Sequence, residues 1–196
     1  MGRTRAFAEV DVVRAARGVF WNRGYEETSL PDLEAATGLN RSSIYHSFGS
    51  KRGLFDEAVE SYLDDIVRPR LAPLAGEQVE AGALETYLRG LRRAMVDEQT
   101  SLAVNGCLLL NATASSLGHE TALQEVVTRY CAELRAGVTA GVAAMTTRLT
   151  AGEQKTLTTT VTGLVFAAMV VVRVDRQAAG GMIDAALSAA ANTRLE

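Results

Sequence analysis

Between Ser29 and Ser50 the chain alternates helix starters and helix stoppers at intervals that fit only two brief helices meeting at a sharp corner. Ser29 is a good N-cap, Asp32 can bond back to it as in a capping box, and Pro31 falls in the first turn, where its missing N–H costs nothing. These residues predict a helix over about Leu30 to Thr37. Gly38 suits the left-handed residue that ends a helix, and Asn40 is a fresh N-cap for a second helix through about His46. Two such helices flanking a glycine turn have helix-turn-helix dimensions. Upstream, Val10, Val13, Ala16 and Phe20 recur at helical spacing, predicting an amphipathic helix from about Glu9 to Arg23 that Gly24 ends.

Downstream, Ser50 caps a longer helix with two neighbouring apolar rows, Leu54, Ala58, Tyr62, Ile66 and Phe55, Val59, Leu63, Val67. Pro69 and Pro73 are expected to stop it, which makes the stretch PRLAPLAG a hinge between domains. Further helices are expected at about Val79 to Glu98, Leu102 to Ser116, Glu120 to Leu149, Glu153 to Arg176 and Met182 to Asn192. Within them Thr156 to Val174 is ambiguous, because Thr and Val favour a strand, and its length together with its helical surroundings decides for a buried helix. The fold class is therefore all-α, with about nine helices: a three-helix N-terminal helix-turn-helix domain over residues 1–52 and a larger helical domain over residues 53–196. With 47% hydrophobic residues in 196 and only 3 Pro, the chain has the material for a buried helical core.

Charge and motif content narrow the function classes. The net charge of −3 conceals an asymmetry: residues 1–52 hold 8 basic and 6 acidic side chains, a net of +2, and the remainder holds 12 and 17, a net of −5. No signal peptide is visible at the start, and Thr156 to Val172, interrupted by five threonines, falls short of a membrane span, so no membrane partner and a cytoplasmic location are expected. Cys107 and Cys131 lack metal-type spacing and are expected to be packing residues in a reducing compartment. His46 and His119 fall in different domains without ligand-spaced carboxylates. Neither an active site nor a cofactor is expected.

In a helix-turn-helix the first helix braces on the phosphate backbone and the second enters the major groove. The outer face of the second helix here would carry Arg41, Ser42, Ser43, Tyr45 and Ser47, while Leu39, Ile44 and Phe48 seat it. Arg can donate two bonds to guanine, Ser reaches a base edge or phosphate, and Tyr offers a hydroxyl and a ring for thymine methyls. Lys51, at the start of the next helix, would place an ammonium near a phosphate.

The run SLPDLEAATGLNRSSIYHSFGSKRGLF, Ser29 to Phe55, resembles the DNA-binding segment of the TetR family of bacterial transcriptional regulators. Gly38, Ile44, Tyr45, Phe48, Lys51 and Leu54 fall where that family's pattern expects them, and the segment Gly106 to Leu109 is similar to one in many members' ligand domains. Departures are Glu34, where the family usually has Ala, Thr37 in place of a small apolar residue, Ser47 in place of a frequent His, and Pro31 in place of a polar residue. With Pro31 there, Thr28 and Ser29 are the phosphate anchors expected from the first short helix.

The resemblance implies a dimeric repressor that binds a palindromic double-stranded DNA operator and is released by a small-molecule effector. Homodimerisation would use the last two long helices, with Val161, Leu164, Val165, Ala168, Val172, Ala185, Ala186 and Ala189 as interface candidates. An effector pocket among the middle helices would be lined by Tyr62, Tyr87, Leu91, Asn111, Tyr130 and Phe166. The alternative reading is an all-helical ligand-binding or protein-interaction module that no longer reads DNA.

Overall fold

Every secondary-structure element among the described residues is helical. The computed structural model describes residues 2–97, 99–145 and 149–192, and no strand occurs among them. Helix α1 (Gly2–Arg23) buries Val13, Ala16, Phe20 and Trp21, whereas Val10, expected on the same stripe, is exposed. Gly24, at φ 82°, ends it. The capping box at Ser29 and Asp32 then starts α2 (Leu30–Thr37), Gly38 closes it at φ 69°, and Asn40 Oδ1 accepts the Ser43 N–H at 2.8 Å to start α3 (Arg41–Phe48). Ser50 caps α4 (Lys51–Tyr62). These four helices close over Phe20, Leu33, Ile44, Leu54, Phe55 and Ala58, each at most 1% exposed. Burying each of the larger ones contributes about 1.5–3 kcal/mol.

Pro69 does not stop the helix that α4 begins. The turn before it widens into a π-helical segment (Leu63–Val67), in which the Arg68 N–H reaches back to the Leu63 carbonyl, and the chain continues through α5 (Arg68–Leu71) into a 3₁₀ turn (Ala72–Leu74). A widened turn accommodates a residue that lacks an N–H and crowds the preceding turn. The hinge expected at PRLAPLAG is thus helical over much of its length.

The body consists of α6 (Ala83–Val96), α7 (Ser101–Asn105), α8 (Leu108–Thr113), α9 (Thr121–Met145), α10 (Ala151–Val171) and α11 (Arg176–Asn192). The helix expected over Leu102 to Ser116 is broken at Gly106, whose φ of 67° excludes a helical continuation and where a Cβ would lie 2.8 Å from the Met169 carbonyl oxygen. With the interruptions at Leu63–Val67 and Gly106 counted as breaks within single helices, the described residues match the nine expected units. The ambiguous Thr/Val stretch is helix α10, started by a capping box between Thr150 and Glu153, with Thr156 and Thr159 returning their hydroxyls to carbonyls one turn back. Helix α11 begins before the expected Met182 because Asp175 Oδ1 accepts the Ala178 N–H at 2.9 Å. It packs on α10 and α6, and α10 packs in turn on α9. Among the described residues no helix is long and apolar enough to cross a membrane.

Candidate nucleic-acid interface

Helix α3 sits with Ile44 fully buried and Phe48 and Leu39 half-buried, so the opposite face projects outward. Arg41, Ser42, Tyr45 and Ser47 are exposed there, and Ser43 is half-buried with its N–H on the Asn40 cap. The Arg41 guanidinium lies 5.5 Å from the Tyr45 ring centroid, a cation–π contact that holds both side chains over one end of the helix. Arg41 makes no ion pair among the described residues. His46 is also exposed, beside Ser47.

Two expectations about phosphate anchors need correction. Thr28 is buried, 1% exposed, and its hydroxyl donates to the Gly24 carbonyl at 2.6 Å, so it serves the turn out of α1 and presents nothing to a ligand. Ser29 is exposed, but its hydroxyl is engaged with Asp32 Oδ2 at 2.6 Å in the capping box. Lys51 is half-buried, with its ammonium 4.4 Å from the centroid of the Tyr25 ring. That contact fixes the charge at the foot of α3.

Glu34 explains its own departure from the family pattern. Its Oε1 accepts the Arg41 N–H at 2.5 Å, so a carboxylate on α2 adds to the Asn40 cap on the first turn of α3 and ties the two helices together. Sequence reasoning missed this, although a carboxylate one turn before the glycine, facing a helix start, was the available signal.

The head is joined to the body by contacts far apart in sequence. Trp21 Nε1 donates to the Gly106 carbonyl at 2.8 Å in a buried bond. Glu26 accepts from Ser116 and Arg52 pairs with both Asp56 and Glu120. Arg14 and Arg17 converge on Asp65, whose carboxyl is held down at about 2, first by the hydrogen bond from Arg14 and with further help from Arg17 against the opposing effect of desolvation.

Of the ligand-pocket candidates, Tyr62, Tyr87, Leu91 and Tyr130 converge on one cavity between the α4–α5 segment, α6, α9 and α10, with about 20 Å³ of free space. Asn111 and Phe166 do not belong to it. The Asn111 amide donates to the Asn105 carbonyl and borders a separate cleft against the end of α1, and Phe166 stands edge-on to the outer side of Tyr130 at 6.2 Å. Inside, the Tyr62 hydroxyl donates to Cys107 Sγ at 3.5 Å and the Tyr130 hydroxyl to Met169 Sδ at 3.2 Å. Burial pushes the Cys107 thiol and both phenols up, leaving them neutral.

The expected dimer contacts are corrected more heavily. Val161, Val165, Ala168, Val172 and Ala186 are at most 1% exposed within a single chain and form the core between α10, α11 and their neighbours, so they have no surface left to offer a partner. Leu164 and Ala189 are half-buried and Ala185 is exposed. Residues left exposed on these helices and on the turn between them instead include Thr159, Gly163, Val170, Val174, Gly181 and Ala185, with Val170 56% and Val174 90% exposed.

A capped pair of short helices with an Arg- and Tyr-bearing outer face, mounted on a helical body, defines a helix-turn-helix regulator of transcription. Residues 12–58 match the bacterial regulatory proteins of the tetR family, and the chain is 33% identical over 137 residues to the HTH-type transcriptional regulator YezE of Bacillus subtilis (strain 168), a match covering 68% of each protein. The chain belongs to the TetR family. It is also 32% identical over 111 residues to the transcriptional repressor ComR of Escherichia coli (strain K12), across 56% of this chain and 51% of ComR. Among solved structures, a cysteine-substituted form of the TetR family regulator CifR, complexed with 26-base-pair operator DNA, superposes with a TM-score of 0.74 at 27% identity, covering 91% of this chain and 95% of that one. SCO4454 from Streptomyces coelicolor shares the fold at a TM-score of 0.79 and 17% identity, over 96% of each chain.

Proposed function

We propose that this protein is a homodimeric transcriptional repressor that binds a palindromic operator through two copies of α3 and releases it when a small molecule enters the body. One observation carries the DNA reading: Arg41, Ser42, Tyr45 and Ser47 stand exposed together on a helix whose opposite side is locked by Ile44. Arg41 is the base reader, paired to guanine. Ser42, Ser47 and the Tyr45 hydroxyl reach base edges or phosphates, Ser43 N–H stays on its cap, and Lys51 offers charge to the backbone. The operator complex of CifR, with its similar fold, supports this use of the head.

Residues 1–52 read DNA and residues 53–196 pair with a partner and bind the effector. Pairing uses the exposed residues Thr159, Gly163, Val170, Val174, Gly181 and Ala185, since small and β-branched residues allow close helix approach. The cavity at Tyr62, Tyr87, Leu91 and Tyr130 is the effector site. Filling it displaces the wall that continues directly into α4, and α4 starts beside the reader helix, so the spacing of the two heads changes.

Fluorescence anisotropy with DNA from the protein's own upstream region, taken across salt concentration, tests the assignment. Arg41→Ala is expected to relax one base preference at a cost of about 1–3 kcal/mol, and Lys51→Ala to weaken all sequences alike while lowering the salt slope by about one. Equal binding by both variants and the parent would overturn it.

A further inference from the structure

The effector cavity has one charged wall. Arg70, on α5, lines it and is half-buried, with Nη1 donating to the Ile66 carbonyl at 2.8 Å, a bond that folds the guanidinium back along its own helix. A guanidinium has further donors beyond the one used there. The acids nearest in sequence are already committed elsewhere: Asp64 and Glu60 pair with Arg68, and Asp65 pairs with Arg14 and Arg17. Arg70 itself makes no ion pair among the described residues. Arg70 shares the cavity lining with Tyr62 and Tyr87, and its charge opposes the upward push of burial on both phenols.

The phenols differ in what they have left to give. Tyr62 and Tyr130 spend their hydroxyls on Cys107 and Met169. Tyr87 is 6% exposed and borders the same cavity, and its hydroxyl makes no hydrogen bond among the described residues. Its oxygen is not sealed off, so it stands as a donor open to a ligand beside a guanidinium that also has donors to spare. The remaining walls, including Leu91, Leu134 and Met169, are apolar.

We infer, on the reading of this cavity as the effector site, that the ligand is a small monocarboxylate with an apolar body, its carboxylate held by Arg70 and the Tyr87 hydroxyl. One cation and one neutral donor match a single negative charge, and an Arg–carboxylate pair supplies two parallel bonds in fixed geometry. A dianion would leave buried charge uncompensated, and a neutral polyol would leave its hydroxyls unpaired against Leu91 and Leu134. The free space of about 20 Å³ holds no more than about one water, so a ring or short branched chain enters only with retreat of the Ile66–Leu71 wall.

The test uses the intact protein and a matched panel: benzoate, phenylacetate and isovalerate against their neutral amides. Binding is read by calorimetry and by emission of Trp21, the only tryptophan, whose ring stands edge-on to Tyr62 at 5.0 Å. At least one acid is expected to bind about ten- to a hundredfold more tightly than its amide. Arg70→Gln should abolish that preference, Arg70→Lys should restore part of it, and Tyr87→Phe should weaken the acid while leaving the amide unchanged; melting temperatures verify that each variant folds. No binding by any acid, amides binding as well as acids, or a preference that survives Arg70→Gln overturns the inference. Operator release, measured in parallel, separates it from the underlying reading. An amide that alone binds and releases DNA defeats the carboxylate assignment and leaves the effector site standing, whereas Arg70-dependent acid binding without any change in operator affinity defeats the effector reading and leaves the carboxylate chemistry.

Discussion

In the head, α2 and α3 are eight residues each, too short to hold themselves; side chains tie both starts, Ser29 with Asp32 for α2 and Glu34 and Asn40 for α3, and Gly38 and Gly49 close both ends through their backbones. In the body, α9 and α10 run 25 and 21 residues, and their buried faces, with Val138, Val142, Val161 and Val165 at most 1% exposed, are joined by few polar bonds. A capped, short-range head can turn as a unit and keep its shape, while an apolar body whose cavity walls are single side chains can be repacked by a ligand. Rigidity lies where a fixed template must be read, and adaptability lies where a small molecule must be admitted.

The sharpest way to break this comparison is to damage both cores equally. Ile44→Ala and Leu88→Ala each empty a fully buried site and should each cost about 2–5 kcal/mol, measured by denaturant unfolding. At a temperature where both proteins are folded, only Ile44→Ala is expected to lose operator affinity. Equal losses would show that head and body do not divide the work. A smaller effect is expected from Glu34→Ala, about 1 kcal/mol of stability from the lost cap, with operator affinity reduced evenly across sequences and recovered in Glu34→Gln, whose amide oxygen can still accept. A change in base preference would instead make Glu34 a reader.

The smallest effect concerns acid. Asp65 is held at about 2 in the folded chain, below its ordinary 3.8, so its pairing with Arg14 and Arg17 stabilises the native state above about pH 4 and is lost as pH falls from there toward 2. Asp65→Asn should flatten the stability profile over that window alone. An unchanged slope would mean that the pair survives equally in the unfolded chain.

The head was legible because its determinants are local. Ser29, Asp32, Gly38 and Asn40 act on residues within one turn of themselves, and all four do what their chemistry predicts. Thr28 misled because its neighbour in sequence is exposed, while its own hydroxyl is turned inward to Gly24. In the body, small and β-branched residues occur all around α10 and α11, so composition did not distinguish the face carrying Val161 and Val165 from the one carrying Val170 and Val174; only the positions of α6 and α9 do so. Asn111 and Phe166 line cavities other than the tyrosine one for the same reason, since which neighbours they join depends on the break at Gly106 and on the packing of α9 against α10.

The wide turn at Leu63–Val67 has a further implication for how this chain can vary. It acts as one extra residue wound into a continuous rod, so it sets the angular offset between the flank of α4 that grips the head, at Leu54, Phe55 and Ala58, and the flank of α5 that faces the cavity, at Arg70 and Leu71. Deleting one residue there would rotate one flank about the rod by about 100° relative to the other. A substitution along that rod leaves this offset unchanged, but a one-residue change in its length would misalign its two ends like a coupling assembled out of phase.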